Sequence, residues 1–124
     1  MERGHALTDV EWRLMQCLWK GGAMTLGEIM ADVSRDTSWT KHSVISFLKR
    51  MAAKGYVDIS TERPIRYRTL LDQHEAMRTK TRQVLKNVFD NNLVTLVRNA
   101  VIEQPLSDVE VDELIDLLKK GREK

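Results

Sequence analysis

One spacing recurs along the chain and limits its fold more than any other feature: an oxygen-bearing side chain followed three residues later by Glu. It stands at Thr8 and Glu11, Thr25 and Glu28, Asp72 and Glu75, and Ser107 and Glu110. This is the capping-box pattern. The first side chain accepts the N–H of the third helical residue, while the Glu accepts the N–H of the cap. A carboxylate there also meets the positive end of the helix dipole. Apolar residues flank three of these starts at the staple spacing, Leu7 with Trp12, Met24 with Ile29 and Leu106 with Val111. The spacing therefore predicts four helix starts and a mainly α chain.

A fifth start breaks the rule. In Trp39-Thr40-Lys41-His42-Ser43-Val44 the cap hydroxyl and the staple pair are present, but Ser43 stands in the place of the Glu, behind Lys41 and His42. That first turn leaves the helix dipole uncompensated by the chain, and phosphate is the usual external anion at such an end. On a helical wheel Val44, Ile45, Phe47, Leu48, Met51 and Ala52 share one arc. His42, Ser43, Ser46, Lys49, Arg50, Ala53 and Lys54 fill the other. One face is core and the other basic.

Gly55 ends this helix, and "YVDIST" and "RYRTL" read as two strands joined around Glu62, Arg63, Pro64 and Ile65, with Arg66 and Arg68 alternating onto one face. Helices follow from Asp72 to about Phe89, from about Leu93 to Glu103 and from Asp108 to about Lys120, broken by "DNN" and "QP". The expected fold is mainly α with a small β-hairpin wing. It is a winged helix-turn-helix over residues 1–71, followed by a helical dimerisation region over residues 72–124. In the last helix Val111, Leu114, Ile115 and Leu118 form an apolar stripe that three short helices can hardly bury, so a second copy is the expected cover.

Charge is distributed to match. The net charge is only +2, yet Lys41, Lys49, Arg50, Lys54, Arg63, Arg66 and Arg68 face just Asp58 and Glu62 between residues 40 and 68. In a winged helix the third helix enters the major groove and the wing touches backbone. His42, Ser43, Ser46, Lys49 and Arg50 are the expected readers of base edges. Thr40, Lys41, Lys54, Arg63, Arg66 and Arg68 are the expected phosphate contacts on double-stranded DNA. The alternative reading of the same basic face is a winged-helix protein–protein interaction module that docks on an acidic partner.

Other chemistry lacks residues. His5, His42 and His74 have no ligand spacing with one another or with Cys17, so neither a metal nor any other cofactor is expected. Cys17 has no His on a nearby turn to activate it and reads as packing, as do Trp12, Trp19 and Trp39. There is no glycine-rich phosphate loop, and the chain is not expected to be an enzyme. No apolar run spans a bilayer and the first residues lack the apolar centre of a signal peptide, so the expected place is the cytoplasm.

"LTDVEWRLMQCLW", "WTKHSVISFLKRMAAKGYV" and "LSDVEVDELIDLL" together resemble the penicillinase-repressor family over about Leu7 to Leu118. The resemblance implies a bacterial homodimer whose winged helices bind a palindromic operator. In the antibiotic-resistance branch it also implies derepression by a membrane-bound sensor protease that cuts in the C-terminal region. The family's "L-V-x-N" matches Leu96-Val97-Arg98-Asn99 and places that cut at Asn99-Ala100, with Ala100 standing where the family has an aromatic. The cysteine-rich end of the copper-responsive branch is absent, since no cysteine follows Cys17.

Overall fold

The computed structural model describes residues 7–122, in the order α1 (Asp9–Gly21), β1 (Met24–Thr25), α2 (Leu26–Val33), α3 (Lys41–Ala53), β2 (Val57–Ile59), β3 (Arg66–Thr69), α4 (Gln73–Asn87), α5 (Leu93–Glu103) and α6 (Asp108–Lys120). His5 lies outside the described residues. Both halves of the capping box form at Thr8, Thr25 and Ser107, with reciprocal bonds of 2.8 to 3.2 Å to Glu11, Glu28 and Glu110. At α4 the Glu75 N–H donates to Asp72 Oδ2 at 2.9 Å.

The chain divides between Lys80 and Thr81 into two units, the border falling within α4. In the first unit, Leu14, Met15, Leu18, Ile29, Val33, Val44, Leu48 and Met51 are almost fully buried. They lie at helical spacing on α1, α2 and α3, which is why the three helices close on one another. Trp12, Trp19, Trp39 and Phe47 pack against the edge of this core, and Trp19 Nε1 donates to Leu71 O at 2.9 Å. Arg13 clasps α1 to the end of α2, reaching Asp32 at 3.0 Å and Asp36 at 2.7 Å.

The wing is a three-stranded antiparallel sheet in the order β1-β3-β2, with Met24 opposite Tyr67, Ile59 opposite Tyr67 and Asp58 opposite Arg68. The pair β2 and β3 is the expected hairpin; β1 is an addition to it. A strand of two residues has no alternation to read, and it exists only because Met24 and Thr25 meet Tyr67 and Arg66, with α2, α3 and β2 between them in sequence. Thr25 serves twice, as strand residue and as the cap of α2.

In the second unit α5 and α6 contain no buried residue. Asp90 and Asn91, between α4 and α5, take left-handed φ values of 50° and 61°, a conformation that Asp and Asn tolerate better than most residues. Val111, Ile115 and Leu118 are exposed and Leu114 is half-buried. No helix among the described residues is long and apolar enough to cross a membrane.

Candidate nucleic-acid interface

The start of α3 is built from hydroxyls. Thr40, extended at φ −82° and ψ 160°, caps the helix by accepting the Ser43 N–H at 3.1 Å and donates its own hydroxyl proton to Ser43 Oγ at 3.0 Å. No acidic residue lies in the first turn, whereas α1, α2, α4 and α6 each have at least one; α5 also lacks one, but it is capped by the Asn92 amide and carries no basic residue there. The exposed N–H groups and Lys41 and His42 therefore leave this end electropositive.

Three α3 residues, Val44, Leu48 and Met51, are fully buried and fix which side of the helix looks outward. His42, Lys49 and Ala53 lie on the opposite ridge and are exposed, with Ser46 half-buried between them. Arg50 is also exposed but leans to one flank, its guanidinium 5.7 Å over the Phe47 ring, which is itself packed edge-on against Trp39 at 5.5 Å. At the far end Gly55, at φ 84°, lets the chain reverse. The Tyr56 N–H then donates to Met51 O at 2.9 Å and the Gly55 N–H to Ala52 O at 3.0 Å, a Schellman closure that turns the chain directly into β2.

On the wing, Tyr67 points inward and is buried, so Arg66 and Arg68 on either side of it are exposed together on the outer face, with Arg63 exposed in the loop. Arg68 Nε sits 3.3 Å from Asp58 Oδ2, its cross-strand neighbour, and both are largely solvated, so that pair contributes little stability. Ser60 holds the wing loop by accepting the Arg66 N–H at 2.8 Å and donating to Glu62 O at 3.2 Å.

Lys54 differs from the other basic residues. Its ammonium is 2.7 Å from Glu11 Oε2, and Glu11 is only 6% exposed. Burial pushes the Glu11 carboxyl up, but the Lys54 ammonium and the Thr8 N–H outweigh it and hold the group below its ordinary range; Lys54 is raised in turn by Glu11. Nothing in the sequence marked this pair, because its members lie 43 residues apart. The only hint was that Glu11 already had a role in a capping box.

Asn99 and Ala100 are exposed on α5, with Asn99 Nδ2 donating to Thr95 O at 2.9 Å. Cys17 is buried beside Met24, its Sγ 3.6 Å from the thioether sulfur. Among the described residues no cluster of His, Cys, Asp or Glu has the arrangement to hold a metal ion.

Comparison with known proteins sets this geometry in a family. The family model described as "Penicillinase repressor" matches residues 7–120. The penicillinase repressor of Bacillus licheniformis is 23% identical over 123 residues, covering 98% of this chain and 96% of its own. The methicillin resistance regulatory protein MecI of Staphylococcus aureus strain N315 is 21% identical over 117 residues, covering 94% and 95%. Among solved structures, the monomeric form of Bacillus licheniformis BlaI in complex with the blaP half-operator superposes with a TM-score of 0.52 at 21% identity, over 60% of this chain and 93% of that one. A MarR family protein from Bacillus stearothermophilus gives 0.53 at 20% identity, over 94% and 73%. These likenesses establish the winged-helix fold.

Proposed function

This chain belongs to the penicillinase repressor family, and from that premise we propose that it is a transcriptional repressor that binds a palindromic operator in double-stranded DNA as a homodimer. The observation that carries the reading is the acid-free, hydroxyl-capped start of α3 on a helix whose opposite ridge is polar, basic and solvated. The BlaI structure in complex with the blaP half-operator supports it.

In this reading α3 lies in the major groove. His42, Ser46 and Lys49 face base edges from the ridge, Ser43 and Arg50 reach them from its flank, and Thr40 and Lys41 bind backbone at the helix start. Arg63, Arg66 and Arg68 give the wing its hold on phosphate. Residues 1–71 form the DNA-binding part and residues 72–124 the dimerisation part, in which a second copy covers Val111, Leu114, Ile115 and Leu118. The exposure of Val111, Ile115 and Leu118 in the single chain supports that role. Two linked recognition helices then add their affinities, which is why separating the copies relieves repression.

Derepression follows from a cut at Asn99-Ala100 by a membrane-bound sensor protease. A protease cleft takes extended chain, so α5 must first open. With no buried residue on α5 such opening is cheap. The repressor acts in the cytoplasm, where its operator lies, and does no chemistry of its own.

The test is retention of sheared DNA from the source organism by the purified protein at moderate salt, followed by sequencing. A shared inverted repeat is the expected result. Binding to that repeat weakens by orders of magnitude as salt rises, and Lys49→Ala with Arg50→Ala abolishes it while the dimer persists. Retention of no DNA, or binding insensitive to salt, would instead assign the basic face to an acidic protein partner.

A further inference from the structure

The cleft between the start of α1 and the flank of α3 is lined by Thr8, Val10, Glu11, Phe47, Arg50 and Lys54. Glu11 uses both carboxylate oxygens there. Oε1 accepts the Thr8 N–H at 2.9 Å, closing the α1 cap, and Oε2 accepts from Lys54 Nζ at 2.7 Å, at the last turn of α3. Lys54 is the C-cap of α3, and its ammonium also lies 5.6 Å over the ring of Tyr56, the residue that completes the Schellman closure. One carboxylate thus joins the first turn of one helix to the end of another.

Building on the operator-binding reading above, we propose that Glu11 and Lys54 are a positioning pair for the recognition helix: the ion pair fixes the end of α3 against the start of α1, and Lys54 takes no phosphate.

Pulling Lys54 away toward DNA would strand a carboxylate that is 6% exposed, and an uncompensated buried charge is strongly destabilising. The pair is also neutral as a unit, so it neutralises no phosphate and displaces none of the counterions condensed on the DNA. Base-edge hydrogen bonds are made only within a few tenths of an ångström of their ideal length, whereas long Lys and Arg side chains adjust to a shifted backbone. Loosening the end of α3 must therefore reduce discrimination between sequences more than it reduces general attraction to DNA.

The experiment compares the full-length protein with Glu11→Gln, Lys54→Met, the double variant and Lys54→Arg. Each is titrated against the duplex enriched by the wild type and a random duplex of equal length over a range of salt. Gln keeps an oxygen for the Thr8 N–H, so Glu11→Gln removes the charge pair and spares the cap. Each single loss is expected to lower the preference for the enriched duplex about tenfold, the size of one weakened base contact. The double variant should be no worse than either single one, Lys54→Arg should restore the preference, and the salt slope on random duplex should not change. A shift in melting temperature alone, with the preference intact, would make the pair merely structural and overturn the proposal.

A salt slope lowered by about 0.9 in Lys54→Met, one phosphate's worth, would overturn it too. If Glu11→Gln fails to fold, the Met and Arg variants at position 54 decide alone. If the wild type enriches no sequence, the repressor reading falls and takes this one with it; if it does and the variants match it, only this inference falls.

Discussion

Thr40 and Ser43 close the first turn of α3 with two hydroxyls, the Ser43 N–H donating to Thr40 Oγ1 at 3.1 Å and the Thr40 hydroxyl to Ser43 Oγ at 3.0 Å. The equivalent residue pairs at α1, α2 and α6 end in Glu. Ser43→Glu would complete the capping box and compensate the dipole, adding about 0.5–1 kcal/mol of stability. The same carboxylate would face phosphate. Calorimetry should show a higher melting temperature, and DNA titration at low salt a loss of affinity of at least tenfold. A variant that is both more stable and an equal binder would remove the start of α3 from the interface.

Arg13 offers a pH-dependent prediction. Its guanidinium, 3.0 Å from Asp32 and 2.7 Å from Asp36, is the foremost cause holding both carboxyls below their ordinary range. A carboxyl with a folded value below its unfolded one contributes stability that is fully present above the unfolded value, about pH 4, and is lost as pH falls through the folded one. Arg13→Met should therefore be less stable than wild type at pH 7, and urea denaturation should show the gap narrowing steadily below about pH 4. A gap that stays constant to pH 2 would assign the loss to packing of the Arg13 stem.

Cys17 should be inert. Burial, with the Asp32 carboxylate next, pushes its thiol up to about 12. Since the thiolate is the nucleophile, iodoacetamide at pH 8 should leave the native protein unmodified over hours and label it within minutes in denaturant, as read by mass spectrometry. Rapid native labelling would mean that α1 opens far more often than its buried core implies.

If a second copy covers α6 as proposed, charge placed on its apolar stripe should separate the copies. Leu114→Asp with Ile115→Asp is expected to yield monomers by sedimentation, with an unchanged first unit by NMR. Affinity for a full operator should fall about 10²-fold or more as the linkage between half-sites disappears. Persistence of the dimer would move its interface off this face.

Leu48, on the inner face of α3, has no exposure. Leu48→Ala should cost about 2–5 kcal/mol through lost burial and the cavity left behind. Thermal or urea unfolding would register it directly.

Much of this protein was legible as a string. Helix starts are decided within four residues by which side chain can reach which N–H, so Thr8, Thr25, Thr40 and Ser107 announced their helices. The buried face of α3 followed from spacing alone, since Val44, Leu48 and Met51 recur at the helical period. The electropositive start of α3 was equally local: an absent carboxylate is visible wherever its neighbours in the pattern are present. What the string could not decide was which charges remain free. Lys54 and Arg50 looked alike on the wheel. The tertiary fold brought Glu11 to one and Phe47 to the other, and joined two residues of β1 to β3. Ion pairs between distant residues and strands of two residues have no period and no local grammar. They depend on which surfaces the packed core sets side by side, and only the folded chain determines that.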